Sequence, residues 1–173
     1  MSTSCLALVG AGPLPELLLQ RFSKELADRR GSTRVTAAMS DDPDAVLTDC
    51  INQTSLLGLN GDAARLLPRG SSWLAALADW RIPTLLLTMV DADGEIPGHA
   101  AAHAALCHQL SVPLVGLVQL QGHWDQSARR RDALPWCGWV PDADHPRHED
   151  GLNALVERIS RGRLTGPAAR AAV

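Results

Sequence analysis

Lysine is nearly absent from this chain of 173 residues: Lys24 is the only one, although lysine and arginine together number 16. Tyrosine is missing and phenylalanine occurs once, against five tryptophans. The formal net charge of −3 gives no overall basic field of the kind that binds nucleic acid. The single lysine also means that no second ammonium group elsewhere in the chain can reach a bound phosphate.

Long apolar runs and paired cysteines are absent too. No run approaches the roughly 20 apolar residues that cross a bilayer, and the start has no basic signal-peptide region. The sequence has no C-x-x-C pair, which predicts buried, reduced thiols. We therefore expect a cytoplasmic protein. The four cysteines are Cys5, Cys50, Cys107 and Cys137.

Short apolar segments alternate with segments of helical spacing, which predicts an α/β protein. Predicted strands are CLALVG (5–10), STRVTAAMS (32–40), AVLTDC (45–50), PTLLLTMV (83–90) and VPLVGLVQL (112–120). Predicted helices cover 14–29, 73–80, 99–110 and 151–162, and SLLGLNGDAARLLPRGSS (55–72) is expected to be largely loop. We expect one doubly wound domain over 1–164, with a mostly parallel sheet covered on both faces. A frayed tail is expected over 165–173.

The turn GAGPLPE (10–16) joins the first predicted strand to a helix, as phosphate-binding turns do. A P-loop needs backbone N–H groups, a lysine and a magnesium-binding hydroxyl. Here Pro13 and Pro15 remove two N–H donors. Glu16 adds a carboxylate at the positive end of the helix, where a phosphate would otherwise lie. The turn is thus predicted to hold no phosphate.

A dinucleotide-binding turn is an alternative interpretation of the same residues. Gly10 and Gly12 match the first two glycines of G-x-G-x-x-G, but Pro15 stands at the third. The acidic residue expected about 20 positions later could be Asp28 or Asp41. NAD binding therefore stays an open alternative, and two glycines are its only support.

Three segments of the second half follow one another in a familiar order: LADWRIPTLLLTMVDADGEIPGH (77–99), VPLVGLVQLQ (112–121) and LPWCGWVPDAD (134–144). In this order they resemble dethiobiotin synthetase and its relatives in the ParA/MinD branch of P-loop NTPases. The family's G-x-I-x-H loop is similar to Gly94, Ile96 and His99, with one extra residue before the histidine. The asparagine that reads adenine in the family is replaced by Leu120.

The resemblance implies a reduced P-loop NTPase fold whose P-loop has degenerated. We expect a non-hydrolysing protein without a cofactor, acting as a scaffold, adaptor or regulator through a protein partner or as a homodimer. The alternative is an enzyme or nucleotide binder that uses the crevice at the carboxyl ends of the strands. Its candidate contacts are Gly10, Gly12, Asp91, Asp93, His99 and Gln119.

Other clusters have an ordinary structural interpretation, which we prefer. His99, His103 and Cys107 share one helix face, but three ligands there span about 12 Å, too far for one ion. The acidic loop 142–150 and the arginines of 129–131 are expected to be solvated surface. No catalytic triad, Cys-His pair or paired carboxylates can be defended from spacing, so we predict no catalytic residue.

Overall fold

A computed structural model describes residues 5–164, which form a six-stranded sheet with helices packed on it. The strands are β1 (Cys5–Gly10), β2 (Thr33–Ala38), β3 (Ser55–Asn60), β4 (Thr84–Thr88), β5 (Leu114–Leu120) and β6 (Trp136–Val140). The helices are α1 (Glu16–Arg30), α2 (Pro43–Ile51), α3 (Trp73–Asp79), α4 (Gly98–Gln109), α5 (Gln126–Arg131) and α6 (His148–Leu164).

All strand pairs are parallel, in the order β2-β3-β1-β4-β5-β6. In the usual dinucleotide-binding order, 3-2-1-4-5-6, the second strand lies beside the first. Here β3 lies between them, so the topology is not the dinucleotide-binding one.

Two apolar layers cover the sheet. On one face α1 and α6 pack against the strands, through Leu26 and Leu155 among others. On the opposite face lie α2, α3 and α4, represented by Leu47, Leu77 and Ala104. Right-handed crossovers between the parallel strands produce this division. From β1 to β2 the chain moves toward one edge of the sheet, and afterwards it moves toward the other edge, so the connecting helices lie on opposite faces. The loop after β1 therefore leads to one face, while the loops after β3 and β4 lead to the other.

Burial on both faces explains why the central strands are apolar throughout. Every residue of β1 and β4 is buried, including Thr84 and Thr88. The edge strand β2 has only Ala37 buried. This difference is the one expected between central and edge strands of a covered parallel sheet.

Two predicted elements were wrong. Residues 45–50 lie in helix α2 and form no strand, because Asp42 caps the helix by accepting the N–H of Asp44 at 3.1 Å, and Pro43 favours a first helical turn. Residues 55–60 form strand β3 and are not loop. Gly58 is of a residue type that favours loops, yet it lies in a buried strand whose leucines face both layers.

The cysteine prediction agrees with the structure, since all four thiols are buried. Within residues 5–164 no helix has the length and apolarity that a membrane span requires. The tail predicted over 165–173 lies outside the described residues.

A substitution in the central strand tests the two-layer core. Leu86→Ala removes a side chain with no solvent exposure and should lower the free energy of unfolding by about 2–5 kcal/mol. Leu66→Ala, at a position 71% exposed, is the control and should change it by no more than about 0.5 kcal/mol. Denaturant unfolding followed by tryptophan fluorescence measures both. Equal effects of the two substitutions would contradict this core.

Candidate functional site at the carboxyl ends of the strands

A crevice of about 310 Å³ opens at the carboxyl ends of β1 and β3. It lies where the loops leave toward opposite faces, the usual ligand position in open α/β sheets. The lining residues are Gly10, Gly12, Pro13, Leu14, Leu19, Leu59, Asn60, Gly61 and Asp62. Gly10 and Gly12, both predicted as contacts, therefore do face this space.

The turn after β1 is short and held at its start. The N–H of Ala11 donates to the carbonyl of Leu87 at 2.8 Å, which extends the pairing of β1 with β4. Gly12 follows with φ +108°, a conformation that favours glycine. Pro15 precedes the first helical residue, Glu16, without a side-chain cap. Pro15 has no N–H to offer at this helix N-terminus, and Leu18 and Leu19 donate theirs to its carbonyl.

Glu16 holds a fixed position at this helix N-terminus. Its Oε1 accepts hydrogen bonds from Asn60 Nδ2 at 2.7 Å and from Gln20 Nε2 at 3.0 Å. A carboxylate in the first turn interacts favourably with the helix dipole. The negative charge at the α1 terminus is therefore supplied by the protein itself, and β3 helps to hold it.

The turn after β1 can be compared with the P-loop pattern position by position. When Gly10 is taken as the first glycine of G-x-x-x-x-G-K-[ST], the last three positions fall at residues 15, 16 and 17. These residues are Pro15, Glu16 and Leu17. Leu17 is 79% exposed, so an apolar side chain projects into solvent at the position of the metal-binding hydroxyl.

His99, from the first turn of α4, packs against Gly12. A Cβ built on Gly12 would lie 1.9 Å from His99 Cδ2 and 2.0 Å from Nε2. One turn later, His103 Nδ1 donates to the carbonyl of His99 at 2.9 Å. Its Nε2 lies 3.5 Å from Asp62 Oδ1, longer than a normal hydrogen bond. The structure thus brings the predicted residue His99 onto the turn after β1.

The remaining predicted contacts do not line the crevice. Asp91 Oδ1 accepts the N–H groups of Asp93 and Glu95, each at 3.0 Å, and so shapes its own loop. Gln119 is fully buried, and its Nε2 donates to the carbonyls of Gln121 and His123 at 3.0 Å. Asp91 and Gln119 hold the loops that follow β4 and β5.

The prediction that the arginines of 129–131 are solvated surface is wrong for Arg129, which has a structural role. It is 3% exposed and donates to Asp132 Oδ2 at 2.8 Å and to the carbonyl of Gly94 at 3.2 Å. Its guanidinium carbon lies 5.4 Å from the ring centre of Trp136. Arg129 therefore ties α5 to the loop before α4. The spacing of Arg129, Asp132 and Trp136 could have indicated this role, but the run of three arginines obscured it.

The candidate metal clusters are occupied by packing contacts. Burial raises the pKa of Cys107 to about 11, so its thiolate is disfavoured. In the acidic loop, His148 is buried, with Nδ1 on the carbonyl of Pro141 at 2.8 Å and Nε2 3.2 Å from Glu25 Oε2. Among residues 5–164, no three histidine, cysteine or acidic side chains converge to hold a metal ion.

The contact between His99 and Gly12 can be tested by a double-mutant cycle. Gly12→Ala should cost about 1–2 kcal/mol for its backbone conformation and about 1–3 kcal/mol more for overlap with the imidazole. Thermal or urea unfolding measures the loss. In a His99→Ala background the cost of overlap with the imidazole should disappear. The difference between the costs of Gly12→Ala in the two backgrounds is the coupling energy.

Gly70→Ala is the control for this cycle, because Gly70 also has a positive φ (+81°) but open space where its Cβ would lie. Its cost should be limited to the backbone part, about 1–2 kcal/mol. If Gly12→Ala costs no more than Gly70→Ala, the packing of His99 on the turn is refuted.

Thiol alkylation tests the burial of Cys107. With its pKa at about 11, only about one thiol in a thousand is ionised at about pH 8, and burial also blocks access. The reaction of Cys107 with iodoacetamide should therefore be at least about a hundredfold slower in the folded protein than in guanidinium chloride. Peptide mass spectrometry follows it. Comparable rates in both states would show an accessible thiol.

Comparison with known proteins agrees with this architecture. No protein-family model matches the chain, and no curated protein does. The cell division ATPase MinD of Pyrococcus furiosus superposes with TM-score 0.64 at 12% identity, over 93% of this chain and 99% of that one. The MinD cell division protein of Aquifex aeolicus gives 0.54 and 9%, over 93% and 97%. The predicted fold is confirmed: this chain has the parallel α/β fold of the P-loop NTPase type seen in MinD proteins.

Proposed function

We propose that this chain is a non-hydrolysing protein on a P-loop NTPase fold, which acts as a scaffold, adaptor or regulator through protein contacts. The observation that carries the proposal is the Glu16 carboxylate, fixed by Asn60 at the position of the P-loop lysine. A side chain of opposite charge has replaced the group that would bind phosphate.

The electrostatic cost to a nucleotide supports this proposal. Two like charges about 4 Å apart repel by about 1 kcal/mol in water and by several times that where they are partly buried. The prolines of the turn offer no N–H in compensation. Lys24 cannot replace the missing lysine, because it lies two helical turns into α1 and pairs with Asp28 at 3.3 Å.

Exposed leucines support a role in protein contacts. Leu17 is 79% exposed in the first turn of α1, and Leu66 is 71% exposed in the loop after β3. Both lie on segments that follow strands at the carboxyl edge of the sheet, the edge that carries the crevice. The proposal assigns these two side chains to contacts with a protein partner or with a second copy.

A second candidate is a small-ligand or nucleotide-binding enzyme related to dethiobiotin synthetase. The crevice itself favours it, since Gly10 and Gly12 line about 310 Å³ at the switch point of the sheet. The ligand of such an enzyme must tolerate the Glu16 carboxylate, which is held at the N-terminus of α1.

Nucleotide binding separates the two candidates. We expect Mg-ATP, Mg-ADP and NAD to leave the melting temperature unchanged, whereas a ligand at 100 times its Kd adds about 2.7 kcal/mol of stability. We also expect no ATP turnover. The variant Pro15→Gly/Glu16→Lys/Leu17→Thr restores the P-loop residues and should gain nucleotide binding, measured by calorimetry.

Wild-type ATP hydrolysis that is abolished by Gly12→Ala would refute the proposal, provided that the variant keeps its fold by circular dichroism. Pro68→Gly/Arg69→Lys/Ser71→Thr, in the loop after β3, is the matched control for the triple variant. It introduces the same three residue types away from the helix terminus and should gain no affinity for Mg-ATP.

A further inference from the structure

We infer that His148 and Glu25 form a proton-dependent contact, which fastens the start of α6 to α1 and is lost as the pH rises. The contact joins the two helices that cover one face of the sheet. Neither residue lines the crevice at the carboxyl ends of β1 and β3, so this contact is independent of the proposed function.

Both ring nitrogens of His148 lie against oxygens that accept hydrogen bonds. Nδ1 is 2.8 Å from the carbonyl oxygen of Pro141, and Nε2 is 3.2 Å from Oε2 of Glu25. A carbonyl oxygen and an ionised carboxylate can only accept, whereas a neutral imidazole carries one N–H. With one ring proton, one of the two contacts therefore sets a nitrogen lone pair against an oxygen. Both contacts are hydrogen bonds only when the ring carries two protons.

Burial makes the loss of either hydrogen bond costly. The side chain of His148 is 10% exposed and that of Glu25 is 30% exposed, so little water can replace a lost partner. His148 is the first residue of α6, Pro141 directly follows β6, and Glu25 lies in α1. The two hydrogen bonds therefore connect the start of α6 to the end of the last strand and to α1.

Other charged groups lie near His148, but Glu25 is the carboxylate that contacts the ring. Arg29 donates to Glu149, and Asp28 pairs with Lys24 at 3.3 Å. Within residues 5–164, the charged side chains that line the two cavities beside His148 come from α1 and α6, while β5 and β6 contribute uncharged ones. These charged residues are Arg21, Glu25, Asp28, Arg29 and Glu149.

The loop before α6 directs its basic side chains elsewhere. His145 and Arg147 contact Trp139, with 5.5 Å between the two ring centres and 5.7 Å from the guanidinium carbon to the indole centre. A cation at a helix N-terminus is disfavoured by the helix dipole, but Glu149 and Asp150 in the first turn of α6 offset this effect. Glu25 therefore supplies the opposite charge that a protonated ring contacts.

The direction of the pH dependence follows from the number of ring protons. The contact is complete on the acid side, and it loses one hydrogen bond as the pH rises through the titration of the ring. Histidine ordinarily titrates near about pH 6.5, so the change lies close to physiological pH. At higher pH the start of α6 is held to α1 less firmly.

NMR on the full chain, isotope-labelled in nitrogen, tests this contact. The ring nitrogens of His148 should carry two protons at about pH 5.5 and one at about pH 8.5. The amide of Gly151, which donates to the carbonyl of Arg147 at 3.0 Å, reports on the start of α6. Its protection against exchange, corrected for the intrinsic effect of pH, should fall about fivefold over the same range, since a partly exposed charge pair contributes modestly. The amide of Trp80, at the end of α3 on the opposite face, is the internal reference and should keep its protection.

The variant Glu25→Gln separates the effect of the proton from the contact itself. An amide can donate to a ring nitrogen that has lost its proton, so this variant should keep both hydrogen bonds when the ring is neutral. The protection of its Gly151 amide should therefore be the same at about pH 5.5 and about pH 8.5. His108→Gln, which removes an exposed histidine of α4, is the control and should keep the fivefold fall.

Three results would overturn the inference. The protection of Gly151 in the wild-type chain could stay constant with pH, or its fall could occur at a pH where the ring of His148 does not titrate. The third result is a fall in Glu25→Gln as large as that in the wild-type chain. The first two are measured on the unaltered chain, so they decide the question even if Glu25→Gln does not fold.

Discussion

Burial of β1 between β3 and β4 is the constraint on which the other elements depend. Leu8 pairs with Gly58 on one side and with Leu85 on the other, and it has no solvent exposure. A strand paired on both edges and covered on both faces must be apolar. Polar groups can therefore first follow β1 at its carboxyl end, and the crevice lies there.

A carboxylate, Glu16, lies at the start of the helix that follows the turn after β1. Asn60 and Gln20 fix the Glu16 carboxylate, and His99 covers Gly12. These contacts come from β3, α1 and α4, so three separate parts of the chain hold the turn and the start of α1.

Sequence reasoning predicted what depends on local apolar pattern and missed what depends on position in the fold. The α/β class and strand β4 followed from continuous apolar runs. The β3 segment was missed because Gly58 and Gly61 were interpreted as loop signals, and with it Asn60 and Asp62 were overlooked. Their importance arises only when β3 lies beside β1, and periodicity does not reveal which strands are neighbours.

The position of β1 has a consequence for how the protein is made. It is translated before both of its pairing partners, because β3 and β4 lie later in the chain. Until β4 is translated, the fully apolar strand β1 has one or both edges unpaired. A chain in this state is prone to aggregate. The contacts of β1 join distant parts of the chain, which slows folding. A growing chain halted before residue 84 cannot complete the centre of its sheet.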